Sequence, residues 1–145
     1  MPMVEYGKEK SFIKSTINVG GDVVSIGRIK RLLNSSSQFV DYIFTSDEQK
    51  YCDQQRYQSQ HYAARWAVKE AYLKSINRNC GSPNFRSIEV KRNPEPYLYL
   101  SGEELDILSE KAIARGSKLE NVDIDISLSH DRNSGTALGL VVIYF

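Results

Sequence analysis

The chain has 145 residues, a length that fits one domain with a genuine core. Lys and Arg number 19 against 18 Asp and Glu, a formal charge of +1, and this balance excludes a dedicated polyanion binder, so no nucleic-acid partner is expected. Hydrophobic residues at 41% and charged residues at 26% exclude a disordered chain. Two cysteines, Cys52 and Cys80, are too few for a disulfide framework. No apolar run approaches the roughly 20 residues that cross a bilayer. The start, MPMVEYGKEKSFIKS, has no apolar core of a secretory signal. A reduced, cytoplasmic protein without a membrane partner is the expectation.

Residues 1–15 read as an N-terminal extension and 16–145 as a single domain. From Thr16 to Ile26, β-branched Thr16, Ile17, Val19, Val23 and Val24 predict a strand, with Gly20-Gly21 marking a bulge or a close backbone approach. Ile26, Ile29, Leu32 and Leu33 recur at helical spacing around Arg28, Lys30 and Arg31, a short amphipathic helix ending near Asn34–Ser37. Thr45 and Glu48 form a capping box opening a second helix. A long helix follows over Gln58–Ile76, and residues 79–84 form a loop. Strands are predicted at Ser87–Lys91 and Tyr97–Leu100, separated by Pro94 and Pro96. Ser101 and Glu104 read as a second capping box, opening a helix that ends at Gly116. Strict alternation over Val122–Leu128 and the apolar run Thr136–Phe145 supply the last two strands. The sum is an α+β fold with a mainly antiparallel sheet.

Chemistry concentrates in His61–Lys74. On a helix, Ala64, Val68, Ala71 and Ser75 make a small face for close packing, and Tyr62, Trp66 and Leu73 a bulky one. Arg65 and Lys69 share one seam and Glu70 and Lys74 another. Such pairs are commonly solvated surface pairs, and that reading stands beside a functional one. Asp22 is out of place in a β-branched run, since Asp is depleted in strands. It is either a turn-capping residue or a metal-facing carboxylate, and with Glu70 it suits Mg²⁺, which takes one or two carboxylates and completes its shell with water and phosphate oxygens. Ser127-Leu-Ser129-His130-Asp131 ends a strand, where a hydroxyl and an imidazole either face solvent or touch a ligand. No Gly-x-Ser-x-Gly elbow supports a hydrolase, the Cys and His residues lack zinc spacing, and neither a Walker A loop nor Gly-x-Gly-x-x-Gly is present. Any phosphate ligand must therefore rest on side-chain cations and metal.

Together these segments resemble the holo-acyl-carrier-protein synthase type of 4′-phosphopantetheinyl transferase. The pieces are Gly21-Asp22-Val-Val-Ser-Ile-Gly-Arg28-Ile, Ile43-Phe-Thr45-Ser-Asp-Glu48 with Tyr51-Cys52, Arg65-Trp-Ala-Val-Lys69-Glu70-Ala with Lys74, Ile88-Glu-Val, and Ser127-Leu-Ser-His130, covering about residues 16–145. The resemblance implies a small fold with a mainly antiparallel sheet on a long helix, a homotrimer with sites between subunits, and transfer of phosphopantetheine from coenzyme A to a serine of an apo acyl carrier protein, releasing adenosine 3′,5′-bisphosphate. It implies Asp22 and Glu70 as Mg²⁺ ligands, with Asp22, Glu70 and Lys69 catalytic. It also implies Arg65, Lys69, Lys74, Arg78, Ser129 and His130 at coenzyme A, and Arg28 facing the carrier. Three departures stand out. Asn77-Arg78-Asn79 replaces a Gly-Thr-Gly common in bacterial members, Asn93-Pro-Glu-Pro96 replaces Asn-Gly-Lys-Pro, and Gln38 replaces a basic residue. They point to a polyketide or other specialised carrier rather than the fatty acid one. Two further readings stay open: a degenerate module of the same fold that binds coenzyme A or carrier without turnover, and a small structural trimer unrelated to coenzyme A.

Overall fold

A computed structural model describes residues 17–78 and 81–145. The expected extension 1–15 and Cys80 lie outside the described residues. In chain order the elements are β1 (Ile17–Ser25), α1 (Ile26–Ser35), α2 (Ser37–Ile43), α3 (Ser46–Asp53), α4 (Gln58–Ser75), β2 (Ile88–Arg92), β3 (Pro96–Leu100), α5 (Gly102–Ala114), β4 (Asp123–Asp131) and β5 (Thr136–Tyr144). One antiparallel sheet has the order β1-β5-β4, and β2 and β3 form a separate antiparallel hairpin. The α+β architecture with antiparallel sheets is as expected.

Helix α4 lies across the inner face of the three-stranded sheet. Ala64, Val68, Ala71 and Ser75, the predicted small face, are all buried, with Ala63 and Ala67 buried beside them. The sheet answers with glycine. A Cβ on Gly20 would collide with the Ala71 carbonyl, and one on Gly139 with the backbone of Ala67 and Val68. The β1–β5 register runs unbroken from Ile17↔Tyr144 to Ser25↔Thr136, so Gly20-Gly21 marks a close approach and not a bulge. The opposite face of the sheet is apolar and uncovered: Ile17, Val19, Val23, Leu140 and Tyr144 are exposed, Val19 at 65% and Val23 at 64%.

The short elements fit their caps, with two exceptions to expectation. The predicted Thr45–Glu48 box forms, Glu48 N donating to Thr45 Oγ1 at 3.2 Å and Thr45 N to Glu48 Oε1 at 3.0 Å. The predicted Ser101–Glu104 box does not form. Gly102 sits at φ 53° and Ser101 makes no capping bond, because the Glu104 carboxylate is buried and accepts instead from Asn84 N at 3.0 Å and Arg78 Nη2 at 3.4 Å. Helix α2 is the element with no predicted counterpart. Its N-cap Ser36 accepts from Phe39 N at 3.1 Å, while the Ser36 N–H closes α1 on the Leu32 carbonyl at 3.1 Å. One serine thus ends one helix and starts the next, and in the sequence it reads as loop.

Candidate active site

Strand β1 carries Asp22 on the inner face of the sheet, since its directly opposed partner is the buried Gly139. Glu70 lies on the stretch of α4 that crosses β1. The two carboxylates, far apart in the chain, come within electrostatic reach. Burial pushes the Glu70 pKa up, the Asp22 charge pushes it further, and Lys74 and Arg28 oppose the rise. Lys74 Nζ donates to Asp22 Oδ1 at 2.7 Å and to the Gly21 carbonyl at 3.2 Å, and the bond to Asp22 raises the Lys74 pKa. The predicted Glu70–Lys74 seam thus gives its cation to a strand carboxylate instead. Arg28, which donates its backbone N–H to the α1 cap Ser25, stands near enough to act on Glu70. Beside this group lies a cavity of about 470 Å³ lined by Glu70, Lys74, Asn77, Arg78 and Phe85.

Asn77 shows how the chain manages without glycine at the end of α4. It adopts φ 54°, the left-handed conformation for which Gly and then Asn are favoured, and Arg78 N donates to the Leu73 carbonyl at 3.0 Å. The turn that a glycine would make is kept by an asparagine. Arg78 borders the cavity but turns its guanidinium inward to the buried Glu104 at 3.4 Å, its side chain only 10% exposed, so it serves the α4–α5 contact first.

Lys69, expected at the phosphates of coenzyme A, is wholly buried here, and its ammonium donates to Glu48 Oε1 at 2.6 Å, the Ile43 carbonyl at 2.6 Å and the Phe85 carbonyl at 2.9 Å. All three N–H donors of an ammonium are used. Glu48 Oε2 in turn accepts from Val90 N at 3.1 Å. Desolvation lowers the Lys69 pKa and Glu48 opposes the fall. The pair ties α2, α3 and β2 to the turn of α4 next to Glu70, so Lys69 holds the scaffold of the site and does not line it. No sequence signal separates this from the solvated seam, because Glu48 is already accounted for as a helix cap.

The remaining candidates gather elsewhere. Arg65 is buried, its guanidinium 4.1 Å from the Tyr51 ring centroid and its Nη1 donating to the His61 carbonyl at 3.3 Å, while Nε has no hydrogen-bond partner. It lines a second cavity, of about 240 Å³, together with Tyr51, Lys91, Arg92 and the carboxylates Asp47 and Glu89. Lys91 and Arg92 are cations that the sequence reading passed over, since a hairpin strand with alternating polar residues looks like plain solvated surface. Ser129 and His130 are exposed near the end of β4, and the His130 ring meets His61 edge to face at 5.3 Å between centroids. Within the chain, then, Asp22, Glu70, Lys74 and Arg28 converge, while Arg65 and His130 belong to a separate basic cluster. Among the described residues no three His, Cys, Asp or Glu side chains converge as a metal cage. A paired Asp and Glu beside a lysine suits an ion that keeps water and shares phosphate oxygens, as Mg²⁺ does.

Comparison with known proteins gives one answer. The profile of the 4′-phosphopantetheinyl transferase superfamily matches residues 18–131. A holo-[acyl-carrier-protein] synthase of Syntrophus aciditrophicus is 33% identical over 123 residues, covering 82% of this chain and 90% of the relative. One from Gloeobacter violaceus is 32% identical over 129 residues, covering 88% and 93%. Among solved structures, the Chronobacterium ammoniagenes ACPS–CoA complex superposes with a TM-score of 0.74 at 26% identity, covering 90% of this chain and 98% of that one. The Helicobacter pylori synthase in complex with coenzyme A gives 0.67 at 27% identity, covering 86% and 98%.

Proposed function

The chain belongs to the 4′-phosphopantetheinyl transferase superfamily, and on that footing we propose that it is a holo-acyl-carrier-protein synthase, moving 4′-phosphopantetheine from coenzyme A to a serine of an apo acyl carrier protein. The observation that carries the proposal is the meeting of Asp22 and Glu70, from β1 and α4, beside Lys74 and an open cavity. In the reaction the serine oxygen bonds to the phosphorus bearing the pantetheine arm. The bond from that phosphorus to the bridging oxygen breaks, and adenosine 3′,5′-bisphosphate leaves with the electron pair. The serine proton goes to Glu70 or to a water beside it.

Asp22 and Glu70 would hold Mg²⁺, which when bound supplies charge neutralisation at the diphosphate. Lys74 is the phosphate-binding cation of the exposed cluster, its flexible stem suited to following charge onto the leaving oxygens. Lys69 and Glu48 hold the α4 turn that presents Glu70. Arg28, close to Glu70 on the acid-free helix α1, faces the carrier protein. Arg65, with an unpartnered buried Nε and Lys91 and Arg92 around it, suits an anionic group at the nucleotide end, with Ser129 and His130 nearby. Since Arg65 and Glu70 line different cavities, a complete site takes Asp22, Glu70 and Lys74 from one subunit and the basic cluster from its neighbour. The uncovered apolar sheet face around Val19, Val23 and Leu140 supports a homotrimer closed on that face. Residues 16–145 form the transferase domain, and 1–15 an extension to it. We place the protein in the cytoplasm; no helix among the described residues is long and apolar enough to cross a membrane. The Asn77-Arg78-Asn79, Asn93–Pro96 and Gln38 departures favour a polyketide or other specialised carrier over that of fatty acid synthesis.

The test is to incubate apo carrier proteins of both kinds with coenzyme A and Mg²⁺ and to weigh them by mass spectrometry. Addition of one phosphopantetheine is the expected result, fastest on the specialised carriers. A panel left unmodified while coenzyme A still binds would replace the transferase by a binding module.

A further inference from the structure

The sequence contains two histidines, and the fold brings them together. His61 is in the first turn of α4 and His130 near the end of β4, with ring centroids 5.3 Å apart at an interplanar angle of 67°. On its other side His61 meets Tyr51 of α3 edge to face at 6.0 Å. Tyr51 in turn carries the guanidinium of Arg65 at 4.1 Å and that of Arg92 at 5.7 Å from its ring centroid. The result is a continuous stack in which His61 touches the exposed imidazole at one end and the support of two arginines at the other. His61 also gives its carbonyl to Arg65 Nη1 at 3.3 Å.

We propose that His61 is a positioning residue for His130: an imidazole wedged between Tyr51 and His130 that sets the orientation of the second ring toward a bound anion. The inference rests on the reading of His130 as part of the nucleotide end. The groups that face His61 are Tyr51 from α3, Arg65 from its own helix, Arg92 from β2 and His130 from β4, and three of these carry or acquire positive charge. Burial, His130, Arg65 and Arg92 all push the His61 pKa down. The nearby carboxylates do not reverse this. Asp47 and Glu89 line the Arg65 cavity, and Asp131 accepts from Asn133 N in its own turn. Edge-to-face packing gives the ring a preferred angle, and a neutral ring packs so without repelling a charged neighbour.

With only two imidazoles, the ring signals of the full-length protein are followed by NMR against pH. His61 is expected to titrate below the ordinary histidine range. His130→Ala should raise the His61 midpoint, because a charged neighbour is gone. In turnover, His61→Ala should raise the KM for coenzyme A about three- to tenfold with little change in kcat, the scale of one aromatic contact, and His61→Phe should restore it. A His61 midpoint unmoved by His130→Ala, or a His61→Phe variant no better than His61→Ala, overturns the proposal. The reading beneath it is tested separately with adenosine 3′,5′-bisphosphate. Binding by calorimetry that leaves the His130 ring signals unshifted removes His130 from the nucleotide end, even if the two rings are in contact.

Discussion

Lys69 and Lys74 sit five residues apart on α4 and make nearly the same bond: 2.6 Å to Glu48 and 2.7 Å to Asp22. Their surroundings differ. The Lys69 pair is shut away from water on both sides, whereas the Lys74 side chain is 56% exposed. In the first case the charges have no access to water, so the bond is part of the frame. In the second the ammonium exchanges readily with solvent or a ligand, so the bond is a resting place. An α-helix delivers both environments within two turns because α4 is packed on the sheet along one face, on α3 and the β2–β3 hairpin along another, and opens to the cavity only toward its C-terminal end. On the proposed function, the exposed pair has to move and the buried one to stay.

The contrast can be broken most severely at Lys69. Lys69→Met leaves Glu48 charged and buried, and should cost about 3–5 kcal/mol of folding stability in denaturant unfolding. Lys69→Met with Glu48→Leu should recover most of that loss if the role is scaffolding. A double variant that stays well folded and yet has a greatly raised KM for coenzyme A would return Lys69 to the phosphates. Glu70→Gln should act oppositely, leaving the melting temperature nearly unchanged and cutting turnover about 10²–10³-fold. Lys74→Ala, losing an exposed pair, should change stability by less than about 1 kcal/mol while raising the KM for coenzyme A. The smallest effect is at His61. Its native-state pKa is depressed, so the unfolded chain binds the proton more readily. Stability is therefore retained above the ordinary histidine value of about 6.5 and declines as pH falls through it. His61→Phe should flatten that part of the stability–pH curve, checked by denaturant melts at several pH values.

Much of this was legible in the chain. The alanine spacing of α4, the glycines of β1 and the alternation of β4 each state a local preference strong enough to survive folding, and the close approach at Gly20 is one of the two readings that paired glycines offer, chosen by the strand register. Asp22 was visible because a carboxylate in a β-branched run contradicts its surroundings. Less was legible where one residue serves two masters. Glu48 was readable as the partner of Thr45, and that left no hint that the same carboxylate holds Lys69 and Val90 N. Glu104 was readable as a helix cap and is instead the buried anchor of Arg78. Ser36 was readable as loop and starts α2.

By itself the sequence determined most of the element types, the small packing face of α4, and the residue chemistry available for a divalent ion and a diphosphate, because these depend on side-chain size, backbone freedom and short-range periodicity. Tertiary structure alone decided which lysine is buried and which is exposed, that Asp22 takes Lys74, and that the two histidines meet edge to face. Burial and long-range contact set the dielectric around each charge, and no local pattern records them.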